Sequence, residues 1–290
     1  MAADHYSIVI PCYNEQSGVR TTLRAILAGG DERLREVIVV DDGSTDATAD
    51  ELAGVEDERG LLRILRHPHN RGYGASLKTG VRNATADVVV ITDADGTYPN
   101  ERIPELVDRM GGADMVVGAR TGARVNIPLV RRPAKWLLGW LANTLGGRRI
   151  PDLNSGLRAM RRDVLERYLG LLPDGFSFTT TITLVMLSEA RRVEYIPINY
   201  HQRAGSSKIR PVRDTLNFVQ LVCRAVLWFD PLRFFIPLSL MMVGAGLAIL
   251  LFSMAFMERA LDVTFSIFVM TGVILLAVGL LADLIDKRLR

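Results

Sequence analysis

An α/β fold with a mostly parallel sheet is predicted for the N-terminal part of this sequence, followed by an amphipathic interface helix and a two-helix transmembrane hairpin. Within the first 120 residues, apolar β-branched runs alternate with helical stretches, as in parallel sheets covered on both faces. Two uncharged apolar runs, 234–257 and 263–282, are each long enough to span a bilayer. Ahead of them, segment 212–229 places apolar residues mostly on one helical face, which indicates a helix lying at a membrane surface.

The strands and helices follow from the order of these runs. Strands are predicted at 6–11, 36–40, 62–65, 87–92 and 114–118, with helices near 17–27, 46–52, 74–83 and 101–110. Ser44 or Asp46 is expected to cap the second helix, Asp42 is also interpreted as a capping acid there, and Pro99 lies close to the start of the fourth. Beyond residue 120 the pattern is less regular and predicts helices at 133–145 and 177–189 and a strand at 193–200.

Four polar segments follow the ends of the predicted strands: PCYNE (11–15), DDGSTD (41–46), HPHNRGYG (67–74) and DADGTYP (93–99). In parallel α/β sheets, ligands bind beyond the carboxyl ends of the strands. We therefore expect these four segments to lie along one rim of the sheet and to form the site.

Composition and charge favour an integral membrane protein with its N-terminal part in the cytoplasm. Hydrophobic residues make up 49% of the chain, and mean hydropathy is +0.18. The apolar runs have basic residues on both outer flanks, which are typical of the cytoplasmic side. The alternatives are two buried helices of a soluble core, and for 212–229 a surface helix packed on the globular part. The basic residues gather around the membrane segment, so a nucleic-acid partner is not expected.

Two carboxylates, Asp93 and Asp95, stand where the fourth strand ends, with only Ala94 between them. In an extended chain, side chains two residues apart point to the same side, so both acids face one small volume. Such acids repel each other unless a positive charge lies between them. One interpretation is a solvated turn, because Asp and Gly are common there. The other is a site for a divalent cation.

The motifs, taken in order, resemble a known family. PCYNE, VVDDGSTD, NRGYGASLKTG, DADGTYP, VGAR and DLNSGLRAMRRDV are similar to those of inverting family 2 glycosyltransferases with the GT-A fold, a Rossmann-like, mostly parallel sheet. With the hairpin, the sequence looks like the polyprenyl-phosphate branch, which includes dolichol-phosphate mannose and undecaprenyl-phosphate glucose synthases. The resemblance implies a GT-A domain at 1–205, a juxtamembrane amphipathic segment at 206–230 and two transmembrane helices within 231–290.

The resemblance implies inverting transfer of one sugar from a UDP- or GDP-sugar, with Mg²⁺ or Mn²⁺ bound by Asp93 and Asp95. A cation held there would neutralise the charge of the departing diphosphate. In the family a side chain two residues beyond the motif can help to hold metal, and here that position is Thr97.

Arg71, Gly72 and Gly74 would allow close approach of the backbone to a ligand. The implied nucleotide-sugar site consists of Pro11, Tyr13, Glu15, Val39, Asp41, Asp93, Ala94, Asp95 and Arg120.

The implied acceptor is a dolichyl or undecaprenyl phosphate, whose second ionisation lies near pH 6, so a strong general base is less necessary than for a sugar hydroxyl. Asp152 is the candidate base or orienting group; the alternative is a cap on the turn at Pro151. Arg131, matched to a family arginine, is assigned to catalysis together with Asp95 and Asp152. The acceptor-phosphate residues are Arg131, Ser155, Arg203 and Lys208, with Ser207 in the same loop; a polybasic membrane-surface patch is a compatible reading of that loop.

Two other functions fit parts of the sequence. One is a processive polysaccharide synthase of the same superfamily, but the Q-x-x-R-W motif is absent from the sequence and two spans cannot enclose a polymer path. The other is a catalytically inactive membrane scaffold that binds nucleotide-sugar, which intact Asp93, Asp95 and Arg120 disfavour. By analogy with two-span relatives, the chain is expected to form a homo-oligomer, a tetramer in that analogy.

Overall fold

The protein is described from a computed structural model, which covers residues 5–121, 150–175, 177–200, 231–257 and 262–289. The chain divides into two units, 1–218 and 219–290. The predicted helix at 133–145, the amphipathic segment 206–230 and the boundary after 205 lie outside the described residues.

A seven-stranded sheet forms the centre of the first unit. Its strands are β1 (Tyr6–Cys12), β2 (Leu34–Asp41), β3 (Leu62–Arg66), β4 (Val88–Ile91), β5 (Met115–Ala119), β6 (Arg158–Arg161) and β7 (Val193–Pro197). They lie in the order β3-β2-β1-β4-β6-β5-β7, and only β6 runs antiparallel to its neighbours. The predicted mostly parallel α/β fold is confirmed.

Helices connect the strands and cover the sheet. In the first unit they are α1 (Val19–Leu27), α2 (Thr48–Ala53), α3 (Tyr73–Asn83), α4 (Ile103–Arg109), α5 (Arg162–Tyr168) and α6 (Phe178–Ser188). Every residue of β1 and β4 is buried, which explains their continuous apolar sequences. At Gly80 of α3, a β-carbon would lie 2.2 Å from Cγ1 of Val9, so this glycine allows the helix to pack closely on β1.

The antiparallel strand β6 was not predicted. It has four residues, two of them arginine, so it lacks the apolar run by which the other strands were identified. Met160 pairs with both Val89 and Met115, which inserts β6 between β4 and β5. Because β6 is antiparallel, the segment that precedes it lies at the same edge of the sheet as the carboxyl ends of β4 and β5.

The second unit contains α7 (Pro231–Phe256) and α8 (Asp262–Leu289), two helices long and apolar enough to cross a membrane. In each helix only 11% of the most apolar stretch is buried inside the protein, whereas a helix in the core of a soluble protein is mostly buried. The two helices pack closely at glycines: the hydroxyl of Ser239 donates to the carbonyl of Gly272 at 2.7 Å. A β-carbon at Gly279 would lie 2.5 Å from Cβ of Phe235. This packing fits the predicted transmembrane hairpin.

A buried acid away from the strand carboxyl ends should contribute strongly to stability. Glu36 is 5% exposed and accepts hydrogen bonds from Ser7, Thr85 and Arg63. Burial alone raises the pKa of Glu36, but hydrogen bonds from Thr85, Arg63 and Ser7 outweigh it and lower the pKa below its ordinary value of 4.5. Glu36→Ala leaves buried donors without an acceptor, so we expect a loss of about 3 kcal/mol in unfolding free energy at neutral pH.

Denaturant unfolding of the detergent-solubilised full chain measures this loss. Because the folded pKa of Glu36 is lowered, its contribution is fully present above pH 4.5 and is lost as the pH falls through the folded pKa. The difference between wild type and variant should therefore shrink in acid. The control is Glu105→Gln on the surface, where little change is expected. Equal stability of wild type and Glu36→Ala at neutral pH would contradict the prediction.

Candidate active site

Asp93 and Asp95 lie just beyond the carboxyl end of β4. The amide of Thr92 still donates to the carbonyl of Val9 on β1 at 3.3 Å, after which the chain leaves the sheet. Ala94 is 2% exposed, whereas Asp93 and Asp95 on either side of it are half-buried.

One hydroxyl donates to each carboxylate. The hydroxyl of Tyr73, the first residue of α3, donates to Oδ1 of Asp93 at 3.0 Å. The hydroxyl of Thr97 donates to Oδ1 of Asp95 at 2.6 Å, and its amide donates to the same oxygen at 3.2 Å. Burial and the neighbouring Asp93 charge raise the pKa of Tyr73, so its hydroxyl stays protonated at neutral pH. Thr97 has no exposed surface.

The start of α1 packs against the same turn. A β-carbon at Gly18 would lie 3.0 Å from Cα of Asp95 and 3.1 Å from the carbonyl oxygen of Ala94, so any larger residue would have to push this turn outward. The hydroxyl of Thr22 donates to the same carbonyl at 3.0 Å. The turn is therefore held by β1, α1 and α3 together.

The segment before β6 brings further groups to the acids. At Gly156 a β-carbon would lie 2.9 Å from both carboxylate oxygens of Asp93, so the backbone of residue 156 packs directly on that side chain. The amide of Gly156 donates to the hydroxyl oxygen of Tyr98 at 2.6 Å. Residues 152–156 are thus attached to the tip of β4.

Asp152 and Arg120 form an ion pair at this edge. Nε and Nη2 of Arg120 donate to the two oxygens of Asp152 at 2.7 and 3.0 Å, and the Arg120 amide adds a third bond at 3.1 Å. Burial alone raises the pKa of Asp152, but the hydrogen bonds and charge of Arg120 outweigh it and lower the pKa below its ordinary value. The Arg120 guanidinium also lies over the Tyr200 ring, 5.3 Å from its centroid. Asp152 is therefore a weak base that orients an arginine.

Arg158 is a site residue that sequence analysis missed. It is completely buried, and no carboxylate among the described residues pairs with it. It donates to the carbonyls of Ser155 and Leu153, both at 2.7 Å, and to the hydroxyl of Thr183 at 2.5 Å. Arg158 thereby fixes the segment that carries Asp152. An arginine next to the apolar residues Leu157 and Ala159 was the available sequence signal.

The residues assigned to the nucleotide lie at the ends of β1 and β2, with different exposures. Pro11 and Val39 are buried, whereas Tyr13 and Glu15 are half-buried. Asp41 is 1% exposed; its carboxylate accepts from the amide of Ser44 at 2.9 Å and lies 3.3 Å from Nε of Arg66. Both its oxygens are thus engaged within the protein.

Asp46 and Ser44 differ in their contacts from the predicted caps. Asp46 accepts from the amide and hydroxyl of Thr48, the first residue of α2, but the N-cap position is Ala47 and no side chain caps the helix. The Ser44 hydroxyl instead accepts from the amide of Asn14, which connects the loop after β2 to the loop after β1.

The assignment of Asp42 as a helix cap is wrong. Its carboxylate accepts from the amides of Arg71 and Gly72 at 3.0 and 2.8 Å, and lies 2.6 Å from Nδ1 of His67. Nε2 of His67 lies 2.9 Å from the hydroxyl of Thr79, and this histidine is buried. The loop before α3 folds back over the end of β2, and Asp42 anchors it there.

Gly72 and Gly74 allow a close approach by the protein itself. A β-carbon at Gly72, where φ is +104°, would lie 2.5 Å from the carbonyl oxygen of Asp174, and one at Gly74 would lie 2.1 Å from that of Pro173. The amide of Ala75 donates to the Asp174 carbonyl at 3.1 Å. In this structure segment 173–175, rather than a ligand, occupies the space that these glycines provide.

The remaining predicted residues are only partly described. The Ser155 hydroxyl is fully buried and donates to the carbonyl of Gly118 at 2.5 Å. Arg131, Arg203, Ser207 and Lys208 lie outside the described residues. Within the described part of the chain, no group of three or more His, Cys, Asp or Glu side chains could hold a metal.

Relatives of known name share most of this chain. An undecaprenyl-phosphate 4-deoxy-4-formamido-L-arabinose transferase from Pseudomonas fluorescens is 33% identical over 97% of this chain and 84% of its own length. A dolichyl-phosphate hexose transferase from Haloferax volcanii is 31% identical over 72% of this chain and 88% of its own length.

Solved structures share the fold. Glucosyl-3-phosphoglycerate synthase from Mycobacterium tuberculosis, crystallised with UDP, superposes with a TM-score of 0.60 at 21% identity, covering 77% of this chain and 80% of that one. The same enzyme with Mn²⁺, UDP-glucose and phosphoglyceric acid gives a TM-score of 0.59 at 21% identity, covering 77% and 79%. Residues 7–169, which contain the acids and the Arg120–Asp152 pair, match the family described as Glycosyl transferase family 2. The chain is a member of that family, a glycosyltransferase.

Proposed function

We propose that the protein transfers one sugar, with inversion, from a UDP- or GDP-sugar to a polyprenyl phosphate at the cytoplasmic face of a membrane. The observation that carries the proposal is the contact of Gly156 with Asp93. Gly156 belongs to the segment 152–156, whose Asp152 binds Arg120, so this contact brings the arginine to the same edge as the two acids. Acids that suit a cation and a guanidinium that suits a phosphate thus stand at one edge of the sheet. The relatives named for undecaprenyl and dolichyl phosphate support the lipid acceptor.

The side chains at the tip of β4 fit Mg²⁺ or Mn²⁺. Asp93 and Asp95 offer carboxylate oxygens, hard donors that these ions prefer, and the hydroxyls of Tyr73 and Thr97 donate to those carboxylates. Mg²⁺ is usually held by one or two carboxylates together with substrate phosphates, so two acids suffice. When bound, the cation neutralises charge on the leaving diphosphate. A glycosyltransferase of the same fold was crystallised with Mn²⁺ and UDP-glucose, which fits this assignment.

Arg120 is the proposed phosphate ligand of the donor site. Asp152 occupies Nε and Nη2, and no described residue accepts from Nη1, which leaves that nitrogen for a phosphate oxygen. The proposed nucleotide pocket contains Tyr13 and Glu15, which keep part of their surface exposed. Pro11, Val39 and Asp41 support it from the strand ends.

The acceptor phosphate needs little activation. A phosphate monoester is mostly ionised at neutral pH and can attack the anomeric carbon directly, with the proton already lost to solvent. This fits an orienting role for Asp152, because its lowered pKa makes it a weak base. Arg131, Arg203 and Lys208 remain the proposed acceptor-phosphate residues, whereas Ser155, which is fully buried and donates its hydroxyl to Gly118, does not suit that role. The apolar helices α7 and α8 would retain the enzyme where such a lipid resides.

One assay separates the candidate functions. Purified full-length protein is incubated with radiolabelled nucleotide-sugars, Mn²⁺ and a short polyprenyl phosphate. We expect one product, a lipid carrying a single sugar, with inverted anomeric configuration. A polymer would identify a processive synthase, and binding without product would identify a scaffold.

The set of possible nucleotide-sugar donors can be reduced before the assay. The correct nucleotide-sugar should raise the melting temperature, since ligand at a hundred times Kd stabilises by about 2.7 kcal/mol. A panel of UDP- and GDP-sugars therefore ranks the candidates. Cross-linking in membranes tests the proposed homo-oligomer separately.

A further inference from the structure

The hydroxyls of Tyr73 and Thr97 donate directly to the two acids. We propose that Tyr73 and Thr97 are positioning residues, which hold Asp93 and Asp95 in the orientation that binds the divalent cation. The inference rests on the proposed metal site. In this view Thr97 acts through Asp95 and is not itself a ligand of the metal.

The backbone of Tyr73 is held from two sides. On one side, Asp42 accepts the amides of Arg71 and Gly72, the two residues that precede the tyrosine. On the other, Pro173 and Asp174 pack so closely on Gly72 and Gly74 that no β-carbon fits at either glycine. The start of α3 is therefore fixed, so the Tyr73 hydroxyl reaches Asp93 without reorganisation.

Thr97 is fixed just as firmly. Gly96 before it has φ +71°, a turn that returns the chain onto Asp95. Both the amide and the hydroxyl of Thr97 donate to the same oxygen, Oδ1 of Asp95. Because Thr97 is 0% exposed, its hydroxyl contacts Asp95 inside the protein. The space around Asp93 is similarly limited by the backbone of Gly156.

Neutral hydroxyls suit this task better than charged groups. A hydroxyl that donates to a carboxylate oxygen fixes the direction of that oxygen without adding a charge to the site. A lysine or arginine in the same place would stabilise the acids too, but its charge would compete with the metal. A hydroxyl orients the acid and leaves its negative charge for the cation, which is how groups around metal ligands usually act.

The test measures Mn²⁺ affinity directly, by electron paramagnetic resonance on the detergent-solubilised full chain with Mn²⁺ alone. We expect Tyr73→Phe and Thr97→Val each to weaken Mn²⁺ binding about 10- to 100-fold. Thr97→Ser, which keeps the hydroxyl, should bind as wild type does. The control is Tyr168→Phe, which removes another tyrosine–carboxylate bond, to Glu189 at 2.6 Å. Its Mn²⁺ affinity should not change.

Activity provides a second readout. In Tyr73→Phe, the Mn²⁺ concentration for half-maximal transfer should rise by the same factor, while kcat at saturating Mn²⁺ stays near wild type. A change in Mn²⁺ affinity no larger than that of Tyr168→Phe would overturn the inference. Asp93→Asn serves to test the proposed function: if it binds Mn²⁺ as wild type does, or if wild type binds none even when UDP or GDP is added, the metal site itself fails. The two failures are thereby distinguished.

Discussion

Replacing Asp93 and Asp95 together with asparagine is expected to slow sugar transfer at least about a thousandfold, which corresponds to about 4 kcal/mol of transition-state free energy. The amides keep the shape of the side chains but remove both negative charges, so no cation is held beside the leaving diphosphate. The measurement is incorporation of radiolabelled sugar into lipid, with Mn²⁺ and with chelator. Wild type in chelator should fall to the level of the variant.

A surface acid provides the control for this double replacement. Asp108 is 63% exposed and pairs with Arg33, so Asp108→Asn should leave transfer unchanged. Melting temperatures report whether each variant folds. Transfer by the double variant at the wild-type rate in chelator would contradict metal dependence.

Arg120→Gln is expected to reduce transfer at least about a hundredfold and to destabilise the protein by about 3 kcal/mol. The first effect reflects loss of the cation proposed to bind phosphate. The second arises because Asp152, 10% exposed, then remains buried without its partner. Without Arg120, burial should raise the pKa of Asp152, so the destabilisation should increase as pH rises through that pKa. Transfer assays and denaturant unfolding measure the two effects.

A double-mutant cycle separates stability from function. Adding Asp152→Asn to Arg120→Gln removes the buried charge, so most of the lost stability should return while transfer stays low. Asp152→Asn alone should reduce transfer less than Arg120→Gln, since it leaves the guanidinium in place. If Asp152→Asn alone stops transfer and Arg120→Gln does not, then Asp152 acts as the base.

Much of the fold was predictable because its strands are apolar, continuous and separated by helices. All five strands predicted in the first 120 residues are present, with ends shifted by at most two residues. The missing strand was β6, whose four residues include Arg158 and Arg161. Its arginines interrupt the apolar run that identifies a buried strand. Arg158 is nevertheless buried, because its guanidinium donates hydrogen bonds to two carbonyls and a hydroxyl.

The site was predictable only in part. The acids at the end of β4 and the edge on which they lie followed from strand order, and the family match agrees with the motifs. The partners of individual side chains did not follow. Asp42 is a capping residue by local pattern, yet it anchors a loop about 30 residues away. Gly72 and Gly74, at the start of α3, suggested a close approach to a ligand, whereas in the structure segment 173–175 packs against them.

The sequence by itself therefore determined the α/β class, the apolar hairpin and the position of the acids, because hydrophobic periodicity and strand ends are local properties of the chain. Only the tertiary structure decided that Tyr73 donates to Asp93, that Arg120 is held by Asp152 and that Arg158 donates to the carbonyls of Leu153 and Ser155. The first two contacts join residues 20 and 32 positions apart. The third depends on β6, the antiparallel strand inserted between β4 and β5. Such pairings depend on how crossover connections stack strands side by side, and no local pattern of residues specifies that arrangement.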